Sequence, residues 1–245
     1  MNSAIRVIDA AGPPAPSGGW RRATVREVTH PTPHGVQLRL EVPDRVDHLP
    51  GQHYVIRLTA PDGYVAQRSF SIASAPFDPG IELFIERLDD GEVSTYLADV
   101  TLPGDQLEVR GPIGGWFVWR GDTPIAGVAG GTGVVPFVAM LRQATHLGRQ
   151  GLLRLAVSTR TLADLPYADE LVAQEALIAV TREEGEDGRP KGRLTAVEIS
   201  ALVAGRDPTC YVCGSAQFAE AASTLLLDVG TPADRIRIER FGPSG

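Results

Sequence analysis

Apolar and polar residues alternate in short runs from residue 20 to about residue 119. A period of two residues is typical of half-buried strands, and turn-forming Pro, Gly and Asp residues separate the runs. One helical interruption is expected at residues 93–100. The pattern predicts a small antiparallel six-stranded Greek-key β-barrel. The six runs read RATVREV, GVQLRLEV, QHYVIRL, QRSFSIAS, IELFIER and QLEVRG.

The rhythm of the sequence changes after residue 119. Continuous apolar runs such as IAGVA and ALIAVT alternate there with segments of helical periodicity. This alternation predicts an α/β Rossmann-like domain with a parallel five-stranded sheet, covered by helices on both faces. We therefore expect a β-barrel domain at 20–119 and an α/β domain at 120–245. Residues 1–19 are rich in Pro, Gly and Ala and are expected to form a flexible N-terminal arm.

The charge and hydropathy of the chain narrow the classes of partner. The net charge of -7 disfavours non-specific binding to nucleic acid or to an anionic membrane, so an anionic ligand needs a local basic site. No apolar run approaches the roughly 20 residues that span a bilayer, and the N-terminus lacks the long apolar centre of a signal peptide. A cytoplasmic, monomeric protein is expected.

The chain has only two cysteines, Cys210 and Cys213. They are too few for a disulfide scaffold or for an iron–sulfur cluster with four ligands. The CxxC spacing leaves disulfide redox chemistry open as an alternative, but the apolar run TCYVCGS favours buried, reduced thiols. His53 has no paired His or Cys around it, and no metal site is expected.

A glycine cluster, GGTGVVP at 130–136, follows a strand and opens a helix. In that setting glycines allow a tight turn and close approach of phosphate to the free N–H groups of the helix. The alternative is an ordinary turn between a strand and a helix. The surrounding β–α–β pattern favours a dinucleotide site.

Basic and hydroxyl residues, rather than an acid, follow the next two strands. An acidic residue after the second strand would hold the ribose of NAD, but that strand ends VSTR, at 157–160. Guanidinium and hydroxyl groups instead suit the 2′-phosphate of NADP. For Arg189 and Lys191 a plain charged loop is an equal alternative. The candidate residues at these ends are Arg160, Thr181, Arg182 and Arg193.

Several motifs, taken in order, resemble the ferredoxin–NADP⁺ reductase superfamily over residues 20–241. The resemblance implies an FAD-binding β-barrel domain followed by an NAD(P)-binding domain. The matching segments are RSFS (68–71), GEVSTYL (91–97), PGD (103–105), GPIGGWF (111–117), GGTGVVP (130–136), CGS (213–215) and the late IERF.

The resemblance implies roles for the flavin-binding residues. Arg68 would bind the flavin pyrophosphate, Phe70 would pack on the isoalloxazine or ribityl region, and Ser71 would hydrogen-bond near flavin N5. Phe70 departs from the commoner tyrosine, so it offers no phenol hydroxyl to the ribityl chain. The other implied flavin-binding positions are Ser69, Val93, Ser94 and Thr95.

The resemblance also implies roles in the nucleotide half. Cys213 and Gly214 would lie beside the nicotinamide, while Phe241 corresponds to an aromatic that covers the flavin in relatives. Thr195 stands where many NADPH-using relatives carry a tyrosine, which weakens the case for NADPH. The remaining implied contacts are Gly131, Thr132 and Gly133 around the dinucleotide, and Thr181, Arg182 and Arg193 on the 2′-phosphate.

The implied function is that of a flavoprotein reductase, with catalytic positions at Ser71, Cys213 and Phe241. It would transfer a hydride from NADPH, or from NADH, to bound FAD. It would then pass electrons singly to a separate redox protein, such as a ferredoxin or another redox enzyme. A free flavin reductase that releases reduced flavin, and a non-catalytic electron-transfer or docking subunit, are the alternatives. FMN in place of FAD also stays open.

Overall fold

The computed structural model describes residues 19–185 and 188–242. Within this part of the chain a six-stranded antiparallel sheet is followed by a five-stranded parallel sheet, which confirms the predicted fold class. The N-terminal arm predicted at 1–19 lies outside the described residues except for Gly19. None of the helices described is both long and apolar enough to cross a membrane.

Six strands and one helix build the N-terminal half. The strands are β1 (Arg21–Thr32), β2 (Gly35–Glu41), β3 (His53–Thr59), β4 (Val65–Ser71), β5 (Ile81–Glu86) and β6 (Gln106–Ile113), and helix α1 spans Glu92–Asp99. Their spatial order is β4-β3-β6-β1-β2-β5, and every neighbouring pair is antiparallel.

The two outer strands of this sheet meet, so the sheet curls into a barrel. An antiparallel bridge joins Ile72, just after β4, to Leu83 of β5. The N–H of Ala73 also donates to the carbonyl of Glu82 over 2.8 Å. Inward-facing apolar side chains fill the interior, and α1 closes one end with Val93 and Leu97. Alternating burial along the strands is what the sequence pattern requires.

Strand β1 is longer than the sequence predicts. It continues through His30, Pro31 and Thr32, which the turn-rich stretch HPTPHG suggested were already a turn. The register of its pairing with β2 shifts between Thr29 and Thr32. An irregularity of this kind accommodates proline, which cannot donate to the ladder, so the strand passes Pro31 without ending.

The C-terminal half alternates strands and helices. Its strands are β7 (Ile125–Gly130), β8 (Leu153–Thr159), β9 (Leu177–Val180), β10 (Thr209–Ser215) and β11 (Ile236–Phe241). Its helices are α2 (Val135–His146), α3 (Ala168–Ala173), α4 (Ala196–Val203) and α5 (Ala216–Asp228). All strands are parallel, in the order β11-β10-β7-β8-β9.

Two apolar layers cover the parallel sheet. One face packs on α2 and α3, and the other packs on α4 and α5. The chain runs outward from β7 to β8 and β9, then returns to the opposite side of β7 to form β10. The carboxyl ends of β7 and β10 therefore flank the switch point, where open α/β sheets bind their ligands.

The segment between the two sheets packs on the α2 face. Phe117 and Trp119 are buried in the core of that layer. Tyr211 of β10 donates its hydroxyl to the Val118 carbonyl over 2.9 Å, and Arg237 of β11 donates to the same carbonyl over 3.3 Å. The α2 face of the sheet is thus the face turned toward the barrel.

Candidate functional site

Strand β4 presents the RSFS motif at an edge of the barrel. Arg68 and Phe70 share one face of the strand because they are two residues apart. Phe70 lies opposite Tyr54 and packs against the barrel core, while the Arg68 guanidinium is exposed. Ser69 is exposed and Ser71 is half-buried on the other face. The strand therefore offers a cation, a ring and a hydroxyl along an accessible edge.

The amino end of α1 lies near Arg68 and has no side-chain cap among the described residues. No side chain caps the helix at Gly91, so N–H groups of its first turn remain open to a ligand. Arg68 acts electrostatically on Tyr64, whose hydroxyl donates to Glu92 of α1 over 2.9 Å. The basic side chain and the helix terminus therefore lie in one neighbourhood. This arrangement fits a diphosphate.

The side chains predicted to hold the flavin phosphate are engaged in the turn itself. Val93 is buried in the barrel core. The Ser94 hydroxyl donates to the Gly91 carbonyl over 3.1 Å, and the Thr95 hydroxyl donates to the Leu88 carbonyl over 3.0 Å. Any phosphate contact from these residues would thus come mainly from the backbone.

His53 is a buried neighbour of Ser71. It lies directly opposite Ser71 in the β3–β4 ladder, so the two side chains share a face. Only 6% of His53 is exposed, and burial lowers its pKa to about 4. The imidazole is therefore neutral at physiological pH and places no positive charge beside Ser71.

The glycine cluster forms a tight 3₁₀ turn at Gly131–Val134 before α2. Gly131 has φ +54°, and a Cβ there would meet nothing within 4 Å, so its outer side is open to a ligand. Gly133 instead faces the protein, because a Cβ there would lie 2.2 Å from the Cys213 carbonyl oxygen. The Thr132 hydroxyl donates to Glu86 of β5 over 2.9 Å. The turn touches both β10 and the barrel.

Cys213 and Glu239 lie side by side at the switch point. They are paired in the β10–β11 register on the face turned toward the barrel linker. Burial, with the charge of Glu239, raises the pKa of the Cys213 thiol well above its usual range. Burial also raises the pKa of Glu239 to about 7, and its Oε2 is buried without a hydrogen-bond partner among the described residues.

Glu239 is the site residue that the sequence analysis missed. The IERF motif was recognised, but only its phenylalanine received a role. The available signal was the alternation in IRIERF, since Arg237, Glu239 and Phe241 share a face of an otherwise buried strand. Phe241 lies opposite Ser215 at the strand end and is 37% exposed. Gly214 packs tightly under Phe218, where a Cβ would lie 2.6 Å from the ring.

Exposed arginines surround the carboxyl ends of β8 and β9. Among residues 19–185 and 188–242, the guanidinium groups of Arg160, Arg182 and Arg193 have no side-chain partner. The Arg182 N–H donates to the Arg160 carbonyl over 3.0 Å, so these two residues are adjacent. The Thr181 hydroxyl is less available because it donates to the Thr159 carbonyl over 3.1 Å.

Arg189 and Thr195 organise the following loop instead. Arg189 forms a two-pronged pair with Glu198, at 2.6 and 3.1 Å, and donates to the Arg193 carbonyl over 2.8 Å. Thr195 and Glu198 form a capping box at the start of α4. These contacts hold the backbone that carries Arg193.

The two cysteines are buried free thiols, which confirms the expectation made for them. Cys210 faces the α4 and α5 layer, and burial raises its pKa to about 11. Cys213 faces the other layer. Because the side chains point to opposite faces of β10, they are not arranged as a dithiol pair.

Comparison with known families matches both halves of the chain. Residues 24–118 match the model of the oxidoreductase FAD-binding domain, and residues 128–224 match that of the oxidoreductase NAD-binding domain. The residues described above fit both groups. An exposed arginine beside an uncapped helix suits the FAD diphosphate, and an open glycine turn at the start of a helix suits the diphosphate of a nicotinamide nucleotide.

Two similar proteins are reductases of monooxygenase systems. The alkene monooxygenase system ferredoxin–NAD(+) reductase component of Xanthobacter autotrophicus is 30% identical, over 97% of this chain and 74% of its own length. The propane 2-monooxygenase reductase component of Rhodococcus jostii is 28% identical, over 90% of this chain. The chain spans 63% of the length of the latter relative.

The fold is also that of a solved reductase. A ferredoxin NADP⁺ reductase from Neisseria gonorrhoeae, crystallised with FAD and NADP, superimposes with a TM-score of 0.77. The match covers 91% of this chain and 99% of the other, at 19% identity. At that identity the likeness is one of architecture.

Proposed function

This chain belongs to the ferredoxin–NADP⁺ reductase superfamily, and we propose that it is an NADPH-dependent reductase that passes electrons singly to a separate redox protein. It is an NAD(P)H-dependent oxidoreductase with FAD- and NAD-binding domains. The observation that carries the proposal is the buried Oε2 of Glu239, which has no hydrogen-bond partner among the described residues. Glu239 pairs with Cys213 next to the switch point, on the face turned toward the barrel.

Bound FAD would supply the redox chemistry, accepting two electrons with a hydride and releasing them one at a time. The chain's own residues bind and orient. Arg68 and the amino end of α1 would hold the diphosphate, and residues along β4 would contact the flavin. Ser71 supplies a hydroxyl at the reactive edge.

On the nucleotide side, the 3₁₀ turn receives the diphosphate through the open flank of Gly131. The close approach of Gly133 to Cys213 keeps that turn near the end of β10. The buried Cys213 thiol is small and uncharged, so a ring can approach it closely. Glu239 holds or releases a proton near pH 7 beside it.

The preference for NADPH rests on the exposed arginines. Arg160, Arg182 and Arg193 offer guanidinium groups that a 2′-phosphate would pair with, and no acid stands at the end of β8. NADH is the second candidate, favoured by Thr195, whose hydroxyl is engaged with Glu198. The name of the Xanthobacter relative, which specifies NAD(+), also favours it.

The acceptor is proposed from the relatives, which are named as components of oxygenase systems. Such a reductase serves a redox protein that takes one electron at a time. The test is a gel-filtration run followed by turnover with NADPH and with NADH, using ferricyanide as a one-electron acceptor. The proposal is supported if flavin co-elutes with the protein and turnover is faster with NADPH than with NADH. Flavin that separates from the protein would make it a free flavin reductase.

A further inference from the structure

The outer face of β5 forms a seam between the two domains. Ile81, Leu83 and Ile85 point into the barrel core, so the intervening side chains point outward. Each outward side chain meets the nucleotide domain. Glu86 accepts from Thr132 of the glycine turn, Phe84 packs with Val135 at the start of α2, and Glu82 pairs with Arg142 farther along α2.

Arg142 is the main polar bridge across this seam. Its Nη1 donates to the Glu82 carboxylate over 3.0 Å and to the Ala73 carbonyl over 3.1 Å. Its Nε and Nη2 donate to the two oxygens of Glu170 over 2.9 and 2.6 Å. The planar guanidinium is thus fixed in orientation by two acids and one carbonyl.

Glu82 makes the bridge costly to break. Only 5% of its side chain is exposed, so the carboxylate depends on its cationic partners. Arg39 approaches it at 3.3 Å, but the Arg39 side chain is 57% exposed. Burial lowers the pKa of Arg142, yet the hydrogen bonds and charges of Glu170 and Glu82 outweigh that effect and raise it. The arginine therefore stays charged.

The bridge connects the two halves of the site. Ala73 lies two residues after Ser71, and its N–H donates to the backbone of Glu82. Helix α2 begins directly after the glycine turn. Arg142 therefore ties the strand end that carries Ser71 to the helix that carries the nucleotide turn.

One side of the bridge faces an open cleft. A cavity of about 630 Å³ lies there between the 74–82 segment and the helices α2 and α3. Phe77 and His146 stack across one side of it, with ring centres 4.0 Å apart, but both residues are exposed. With so much open volume, the Arg142 contacts carry much of the restraint at this end of the seam.

We propose that Arg142 is a positioning residue for hydride transfer, which fixes the angle between the domains and so the distance from the nucleotide to Ser71. This rests on the shared two-cofactor reaction and not on the preference for NADPH. Displacement of reacting groups by about 1 Å can slow a reaction a hundredfold. Loss of the bridge is therefore expected to reduce the rate of transfer and leave the binding of either cofactor nearly intact.

The test compares Arg142→Leu with Arg57→Leu in the full FAD-loaded chain. Arg57 makes a similar two-pronged pair with Glu108, at 3.0 Å for both bonds, and both residues belong to the barrel domain. Anaerobic stopped-flow measures flavin reduction by saturating NADPH and NADH, and dithionite reduces the flavin without the nucleotide domain. We expect Arg142→Leu to slow the limiting rate of reduction by both nucleotides at least tenfold. The apparent Kd for each nucleotide, obtained by varying its concentration, should change less than threefold, and dithionite reduction should be unchanged. Arg57→Leu should match wild type.

Hydrogen exchange supplies a readout that needs no turnover. Arg142→Leu should increase exchange at both sides of the seam, in residues 72–82 and in α2, while Arg57→Leu should not. If Arg142→Leu does not accumulate as folded protein, Arg142→Lys replaces it, with an expected slowing of about threefold.

Two results would overturn the role of Arg142. One is an Arg142→Leu variant whose rates of flavin reduction and hydrogen exchange equal those of wild type. The other is an equal loss of reduction rate in Arg142→Leu and Arg57→Leu. If neither NADPH nor NADH reduces the flavin of the wild-type protein, the proposed function is refuted. The hydrogen-exchange comparison would still test the Arg142 bridge.

Discussion

At the scale of single residues, Glu239 is a group whose acid–base chemistry is changed by its position. A carboxylate at the end of a buried parallel strand loses its hydration, and burial raises its pKa to about 7. Carboxyl groups poised near neutral pH are frequent in sites that move protons. Glu239 pairs with Cys213 in the β10–β11 register, and its Oε2 has no hydrogen-bond partner among the described residues.

Glu239→Gln should remove a pH-dependent destabilisation. Between pH 4.5 and about 7 the unfolded chain releases this proton while the folded chain retains it, so Glu239 lowers stability as the pH rises. Relative to wild type, the free energy of unfolding of the variant should therefore increase across that window. The difference should be on the order of 2–3 kcal/mol at about pH 8. Urea unfolding at a series of pH values measures it. Glu220→Gln, on an exposed position of α5, controls for the loss of one carboxylate.

Arg182→Ala should selectively weaken the use of NADPH. The loss of a charged hydrogen bond to a 2′-phosphate is worth ~1–3 kcal/mol, seen as a lower kcat/KM for NADPH alone. Arg206→Ala is the control, because Arg206 binds the Gly151 carbonyl at the other end of the sheet. Equal loss with NADH would refute the assignment of Arg182 to the phosphate.

The sequence identified residues whose roles depend on local motifs, and it missed those that depend on tertiary neighbours. The placement of Arg68 and Ser71 along one accessible strand followed from the RSFS pattern. The hydroxyls of Ser94 and Thr95 donate to backbone carbonyls of their own turn. These contacts depend on loop geometry, which composition does not reveal. That Glu239 lies beside Cys213 follows only from the pairing of β11 with β10.

At the scale of elements, the central contact is between the glycine turn and the end of β10. Two backbone segments can approach this closely only where a side chain is absent. The two glycines of the 3₁₀ turn differ in surroundings. Gly131 leaves the outer side of the turn open, and Gly133 permits the close approach to Cys213 of β10. Gly131 thus meets a ligand-facing requirement, and Gly133 meets a protein-facing one.

Gly133→Ala should disrupt this contact. The new Cβ would lie 2.2 Å from the Cys213 carbonyl oxygen and 2.9 Å from the Gly214 nitrogen, both backbone atoms that cannot rotate away. We expect a loss of about 1–3 kcal/mol in the free energy of unfolding. Thermal unfolding measures it, with Gly151→Ala as control because its Cβ would meet nothing within 4 Å. An unchanged Tm in Gly133→Ala would show that the two segments can separate freely.

Most elements of both sheets could be predicted from periodicity. Continuous apolar runs gave the parallel strands, and alternation gave the barrel strands. The end of β1 was predicted too early because Pro31 suggested a turn. A register shift in the β1–β2 pairing carried the strand past it, and pairing irregularities leave no clear trace in a single sequence.

At the scale of the whole molecule, function depends on how the two domains meet. The sequence predicted two domains but not their seam. In IELFIE the outward residues Glu82, Phe84 and Glu86 have the pattern of a solvent-facing side, whereas the nucleotide domain covers them. Glu86 is 46 residues from its partner Thr132, and Glu82 is 60 residues from its partner Arg142, so only folding brings each pair together.

The central claim is that a nicotinamide nucleotide bound at the parallel sheet delivers reducing equivalents to a flavin held by β4. Anaerobic titration of the FAD-loaded protein with NADPH, and in parallel with NADH, tests it through the visible absorbance of the flavin. We predict stoichiometric bleaching by NADPH, with a higher concentration of NADH needed for the same change. A protein that binds FAD but stays yellow with both nucleotides would contradict the account.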